Sequence, residues 1–92
     1  MKLEIISPEA VLLQAEVKSV AVPGVNGEFQ MLDNHAPIVS ILQEGLVKID
    51  GNLSFSDAQK KLFSKSTDGR WTLFIKSGTL EMNNNKVIIL AD

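Results

Sequence analysis

The 92-residue chain has no cysteine and no tyrosine, one tryptophan, one histidine and three prolines. Without cysteine there are no disulfides, no thiolate nucleophile and no cysteine-ligated zinc. His35 alone cannot build a histidine metal site, and Asp33, two residues before it, does not complete a ligand set. No apolar run approaches the length of a membrane-crossing helix. The start, Met1-Lys2-Leu3-Glu4, lacks the apolar stretch of a secretory signal. A strong charge of one sign is missing too. Nine basic residues against eleven acidic ones give a net charge of −2, with no basic tract to neutralise nucleic-acid phosphates. Hydrophobic residues make up 45% of the chain and charged residues 22%, the balance of a folded domain rather than a disordered one. These features predict one cytoplasmic, soluble domain and are compatible with attachment to a membrane through a partner.

What is present is a β pattern. Leu3–Ile6, Val11–Leu13 and Val17–Val22 are short apolar runs, and Pro23-Gly24 stops the third. Phe29 and Met31 alternate with Glu28 and Gln30, which puts the two pairs on opposite faces of a strand. Ile38–Leu42 follows, then Leu46–Ile49 before the tight-turn sequence Asp50-Gly51-Asn52. Trp71, Leu73 and Ile75 alternate with Thr72, Phe74 and Lys76. Thr79–Met82 and Lys86–Ala91 flank the turn Asn83-Asn84-Asn85. The count is about ten short strands, which predicts an all-β antiparallel sandwich or flattened barrel. One segment departs from the pattern. Ser56-Asp57-Ala58-Gln59 has the form of a capping box, which predicts a short helix near residues 57–64 with Ala58, Leu62 and Phe63 on one face. A polar hairpin with Leu62-Phe63-Ser64 as a strand accounts for the same residues.

The stretch PGVNGEFQMLDNHAP, residues 23–37, concentrates rare residues: the histidine, two prolines and two glycines. It is neither a phosphate-binding loop nor a dinucleotide fingerprint, because it lacks the Gly-Lys-Ser ending and joins two strands. It reads as a turn in which Gly24 and Gly27 supply positive φ. Asp33 or Asn34 is expected to close an Asx-turn, Ala36 to be held extended before Pro37, and His35 to sit partly buried on a backbone group. Ser7, Ser40, His35 and Asp33 contain the residue types of a hydrolytic triad, but no nucleophile-elbow sequence supports one. The scattered acids form no recognisable glycosidase pair. No catalytic, cofactor or metal residues are assigned, and the chain reads as a non-enzyme.

The order of the motifs carries a resemblance. Leu3-Glu4-Ile5-Ile6-Ser7-Pro8-Glu9 is followed by Val22-Pro23-Gly24-x-x-Gly27-x-Phe29 and Leu32-x-Asn34-His35-Ala36-Pro37. Then come Glu44-Gly45-x-Val47-x-Ile49, Ser77-Gly78-x-Leu80-Glu81 and Lys86-Val87-x-Ile89-Leu90-Ala91-Asp92. In this order the chain resembles the N-terminal β-sandwich of the epsilon subunit of bacterial F-type ATP synthase, over about three quarters of its length. The resemblance implies a rotor subunit of the central stalk that couples the membrane c-ring to the gamma subunit during ATP synthesis. It also implies a peripheral position on the cytoplasmic side of the bacterial inner membrane. Val25, Asn26, Gly27 and Glu28 match the loop that reaches the ring, with Glu28 toward basic ring loops. Ser7, His35 and Ser40 match positions that face gamma. No cofactor is implied. The segment from Asp50 to Arg70 is longer than the family's usual connection, and nothing is carried onto it. Residues 1–92 are expected to be a single domain without the helical hairpin that follows in longer members. A free-standing ligand- or carbohydrate-binding β-domain is the alternative; such a module would display a platform of aromatics.

Overall fold

A computed structural model describes all residues from Met1 to Asp92. Ten strands and one helical turn follow in chain order. They are β1 (Lys2–Ile6), β2 (Val11–Glu16), β3 (Ser19–Gly24), β4 (Gly27–Leu32), β5 (Ile38–Leu42), β6 (Gly45–Asp50), α1 (Asp57–Lys60), β7 (Ser64–Lys65), β8 (Trp71–Ile75), β9 (Gly78–Asn83) and β10 (Lys86–Ala91).

The strands form one curled sheet that divides into two layers. The first runs β2-β1-β10-β9-β5. The second runs β4-β3-β6-β8-β7. The layers join at a single bridge, Gly24 against Leu42. Alternation builds the interior, because successive side chains point to opposite faces. Leu3, Ile5, Leu80, Met82, Val87 and Ile89 come from the first layer. Val20, Val22, Met31, Val47, Ile49, Leu73 and Ile75 come from the second, and all thirteen belong to one core of 19 residues. All but one of the paired strands run antiparallel. The exception is β1 against β10, which is parallel and sets Lys2 opposite Lys86. A two-residue turn cannot make a parallel pair, so nothing local in the sequence announces it. The Asn turn was legible. Asn84 and Asn85 both take positive φ (50° and 59°), as a tight hairpin between β9 and β10 requires.

The segment from Asp50 to Arg70 combines the two readings left open by the sequence. Ser56 and Gln59 form the reciprocal capping box, but the helix is one turn, Asp57–Lys60, and not the longer span to 64. Phe63 then turns into the core at 4% exposure, and Ser64–Lys65 pairs with β8. Phe55 stacks on Phe63 with centroids 4.8 Å apart and meets Trp71 edge-on at 4.7 Å. The segment thus covers the side of the sandwich that no strand bridge closes.

Candidate interaction surfaces

One end of the sandwich is made by the turns after β1, β3, β5 and β8, with Asp92 beside them; the other carries Met1, the residues after β4 and the Asn turn. The two-residue loop Val25-Asn26 projects from the first end, with Val25 57% exposed. The glycines that bracket it act differently, which corrects the expectation that both need positive φ. Gly27 does, at +115°. Gly24 does not. A Cβ there would stand 2.7 Å from Cε1 of Phe29 and 2.9 Å from the Gly27 carbonyl oxygen, so its requirement is close approach. The main-chain N–H of Gln43 donates to the Pro23 carbonyl oxygen at 2.9 Å and braces the hairpin from the neighbouring turn. Glu28, on the outer face of β4, is not a lone acid: its Oε1 lies 2.9 Å from Nζ of Lys48 on β6.

The other three residues singled out in the sequence do not come together. Ser7 sits just past β1 at the Val25-Asn26 end. Its hydroxyl is engaged locally with the N–H and carbonyl of Ala10, at 3.2 Å each. It lines a concavity of about 590 Å³ with Ile6, Pro8, Ile41, Thr79 and Leu90. Ser40 lies on the half-buried side of β5, and its hydroxyl donates to the Ile41 carbonyl oxygen at 3.2 Å. His35 lies beyond the opposite end of β5 and is exposed rather than partly buried. Its Nδ1 stands 2.7 Å from the Ala36 carbonyl oxygen. Asp33 closes no Asx-turn. Its carboxylate accepts from the Met1 ammonium at 2.7 Å, and Asn34 carries the left-handed conformation instead, with φ 62°. His35 therefore shares neither a proton nor a ligand with Asp33.

What links Ser7 to β5 is an apolar row that sequence reasoning did not single out. The register aligns Val11 with Ile6, Ile6 with Leu90, Leu90 with Thr79 and Thr79 with Ile41. Ile88, Glu81 and Val39 form the next row. Val39 is 78% exposed and Ile41 66%. Val11 and Leu90 are exposed as well. This is the outer face of the first layer, and it is far more apolar than a solvated face needs to be. The signal was in the sequence. Ile38–Leu42 and Val87–Ala91 are apolar in both phases except at Ser40, and a strand apolar on both faces is one covered on both. Charge enters at Glu81, between Ile88 and Val39, and again toward the Met1 end. There the Lys86 ammonium, 2.9 Å from Glu4, holds the Glu4 carboxyl below the usual carboxylate range.

Aromatics form no platform. Trp71 is locked into the Phe55 cluster under the Lys65 ammonium, and Phe74 is the one exposed aromatic side chain. This arrangement does not favour the carbohydrate-binding alternative.

The sheet, its turns and its uncovered apolar face define a β-sandwich built for contact with other proteins. Residues 1–92 match the family described as ATP synthase, Delta/Epsilon chain, beta-sandwich domain, and the chain belongs to that family. An ATP synthase epsilon chain of Chlorobaculum tepidum is 34% identical over 90 residues, covering 98% of this chain and 86% of the relative. An ATP synthase epsilon chain of Helicobacter pylori is 35% identical over 92 residues, where the match takes in 63% of the relative. Among solved structures, a chain from the central stalk and c-ring of Tetrahymena thermophila mitochondrial ATP synthase superposes with a TM-score of 0.75 over 99% of this chain. At 12% identity that likeness shows the shared fold.

Proposed function

We propose that the chain is a rotor subunit of the central stalk in a proton-translocating F-type ATP synthase, where it couples the c-ring to the gamma subunit. The observation that carries the reading is the apolar outer face of the first layer, from Val11 through Leu90 to Ile41 and Val39. A face of this kind is stable in a folded protein when a partner covers it. Gamma is that partner on this reading, with Ser7 at the border of the contact and Ser40 behind it, on the side of β5 opposite Val39 and Ile41. His35, at the far end of β5, meets gamma at a separate point. The hairpin loop Val25-Asn26-Gly27-Glu28 projects from one end, away from His35, and reaches the ring. The coupling work is mechanical. A close-packed sandwich transmits torque because its interior has little free volume to yield. The subunit sits at the membrane through its partners, on the cytoplasmic side of the bacterial inner membrane, and performs no bond chemistry itself.

Capture of the gamma subunit tests this. The tagged chain is expected to retain gamma from the same organism, and Val39→Asp or Ile41→Asp to lose it while keeping the native circular dichroism. A wild-type chain that fails to retain gamma would sink the reading.

A further inference from the structure

We propose that Lys48 is a positioning residue for Glu28: it fixes the carboxylate of the hairpin in one orientation and leaves one oxygen free for a cationic group of the ring. This inference rests on the reading that the hairpin meets the ring, and deepens it.

The two residues are not neighbours on the sheet. Glu28 lies on β4, opposite Pro23 of β3, whereas Lys48 lies on β6, opposite Ala21 of β3. A whole strand separates them, and they are offset by two residues along it. Lys48 Nζ nevertheless stands 2.9 Å from Glu28 Oε1. The lysine stem therefore runs diagonally over the outer face of β3, from Ala21 toward Pro23. Alternation points Ala21 outward, since Val20 and Val22 are fully buried on the inner side, yet Ala21 is only 2% exposed. The flanking residues in register are Lys48 and Gln30, whose stems close over it. A longer side chain at position 21 would obstruct the crossing.

The consequence is chemical. An unpaired glutamate beside an exposed loop samples many rotamers and loses that freedom on binding. A tethered one has lost it already. The tie engages Oε1 and leaves Oε2 to accept from a partner. The pair also carries no net charge, so it adds little long-range attraction and acts on how long the contact lasts. An exposed pair contributes little to folding stability, so a role in contact geometry can be separated from a structural one.

The experiment follows release of the assembled catalytic head from ring-bearing membranes stripped of their own heads, with gamma capture as a control for folding. Lys48→Met is expected to release roughly fivefold faster, the loss that one well-placed polar contact brings. Lys48→Arg should restore the wild-type rate. The double variant Glu28→Gln/Lys48→Met should release no faster than Glu28→Gln alone. Ala21→Val, which changes no charge, should also speed release by blocking the stem. If Glu28→Gln speeds release and Lys48→Met does not, or if their effects simply add, Lys48 does not act through Glu28; the inference falls and the ring contact stands. If neither variant changes the rate, Glu28 is not a ring contact, and both fall.

Discussion

Nε2 of Gln59 donates to the carbonyl oxygen of Leu12 at 3.0 Å and so ties the helical turn of the long excursion to the edge strand of the opposite layer. Its Oε1 accepts from the Ser56 N–H at 2.9 Å, so one side chain both caps the helix and fastens it. Gln59→Ala removes a cap partner and an interlayer bond together. We expect a loss of about 1–2 kcal/mol of stability, the scale of one cap plus one hydrogen bond. Chemical denaturation checks the magnitude. Hydrogen exchange should show faster opening of residues 56–63 than of β3 or β10. Uniform acceleration across the sheet would show that the tie is not local.

The two hairpin glycines separate by mechanism. Gly27→Val forces a β-branched residue to a φ of +115°, although no atom stands near the new side chain. Strain of this kind costs about 1–3 kcal/mol. Gly24→Ala meets a different obstacle, the Phe29 ring and the Gly27 carbonyl oxygen. Shortening the ring in Gly24→Ala/Phe29→Leu should recover part of the loss at position 24. Phe29→Leu should recover nothing for Gly27→Val. Thermal melts of the four variants decide it, and equal rescue at both positions would refute the distinction.

His35 is exposed and bonded only to its own neighbourhood. His35→Ala should therefore change the stability of the isolated domain by no more than about 0.5 kcal/mol, the usual range for a surface position. If it meets gamma, the same variant weakens gamma capture. A clear stability loss with unchanged capture would remove it from the interface.

Acid sensitivity should come from two carboxylates on separate layers. Lys86 lowers the Glu4 carboxyl, and Arg70 together with Ser66 lowers that of Asp68. A carboxyl lowered in the folded state stabilises above its unfolded value and loses that contribution as pH falls through the folded one. The unfolded references are 4.5 and 3.8, so stability should decline below about pH 4.5. Glu4→Gln and Asp68→Asn should each flatten the decline in a series of denaturation midpoints. A midpoint independent of pH between 5 and 3 would contradict this, those bounds bracketing the ordinary carboxylate range.

Much of the fold was legible because strand alternation and turn chemistry are local. Phe29 and Met31, Leu73 and Ile75, and the Asn84-Asn85 turn show their roles within a few residues. The parallel partner of β1 was not legible, since pairing Lys2 with Lys86 depends on every strand between them. The helix was seen by its cap but overextended, because Phe63 is drawn into the core and ends it. At the interaction surfaces, residue type misled where neighbours decide. Residue type and turn chemistry predict a partly buried His35, which is exposed, and give no sign of the Lys48 that pairs with Glu28. The apolar row was visible as Val39 and Ile41 but meant little until the register placed Leu90 and Ile6 beside them.

The parallel pairing of β1 with β10 also orders events in time. During synthesis the first strand emerges early, and the strand that must lie along one of its edges is the last of the ten to emerge. Until then β1 has only the β2 hairpin, and Leu3 and Ile5 have no Val87 or Ile89 to pack against. The layer cannot close strand by strand in order of synthesis; it closes when β1 and β10 meet. Such distant pairing slows folding, because the loop between the partners must be ordered before the contact stabilises it. A ribosome stalled before β10 would hold a chain whose β1 edge is open to any other strand within reach.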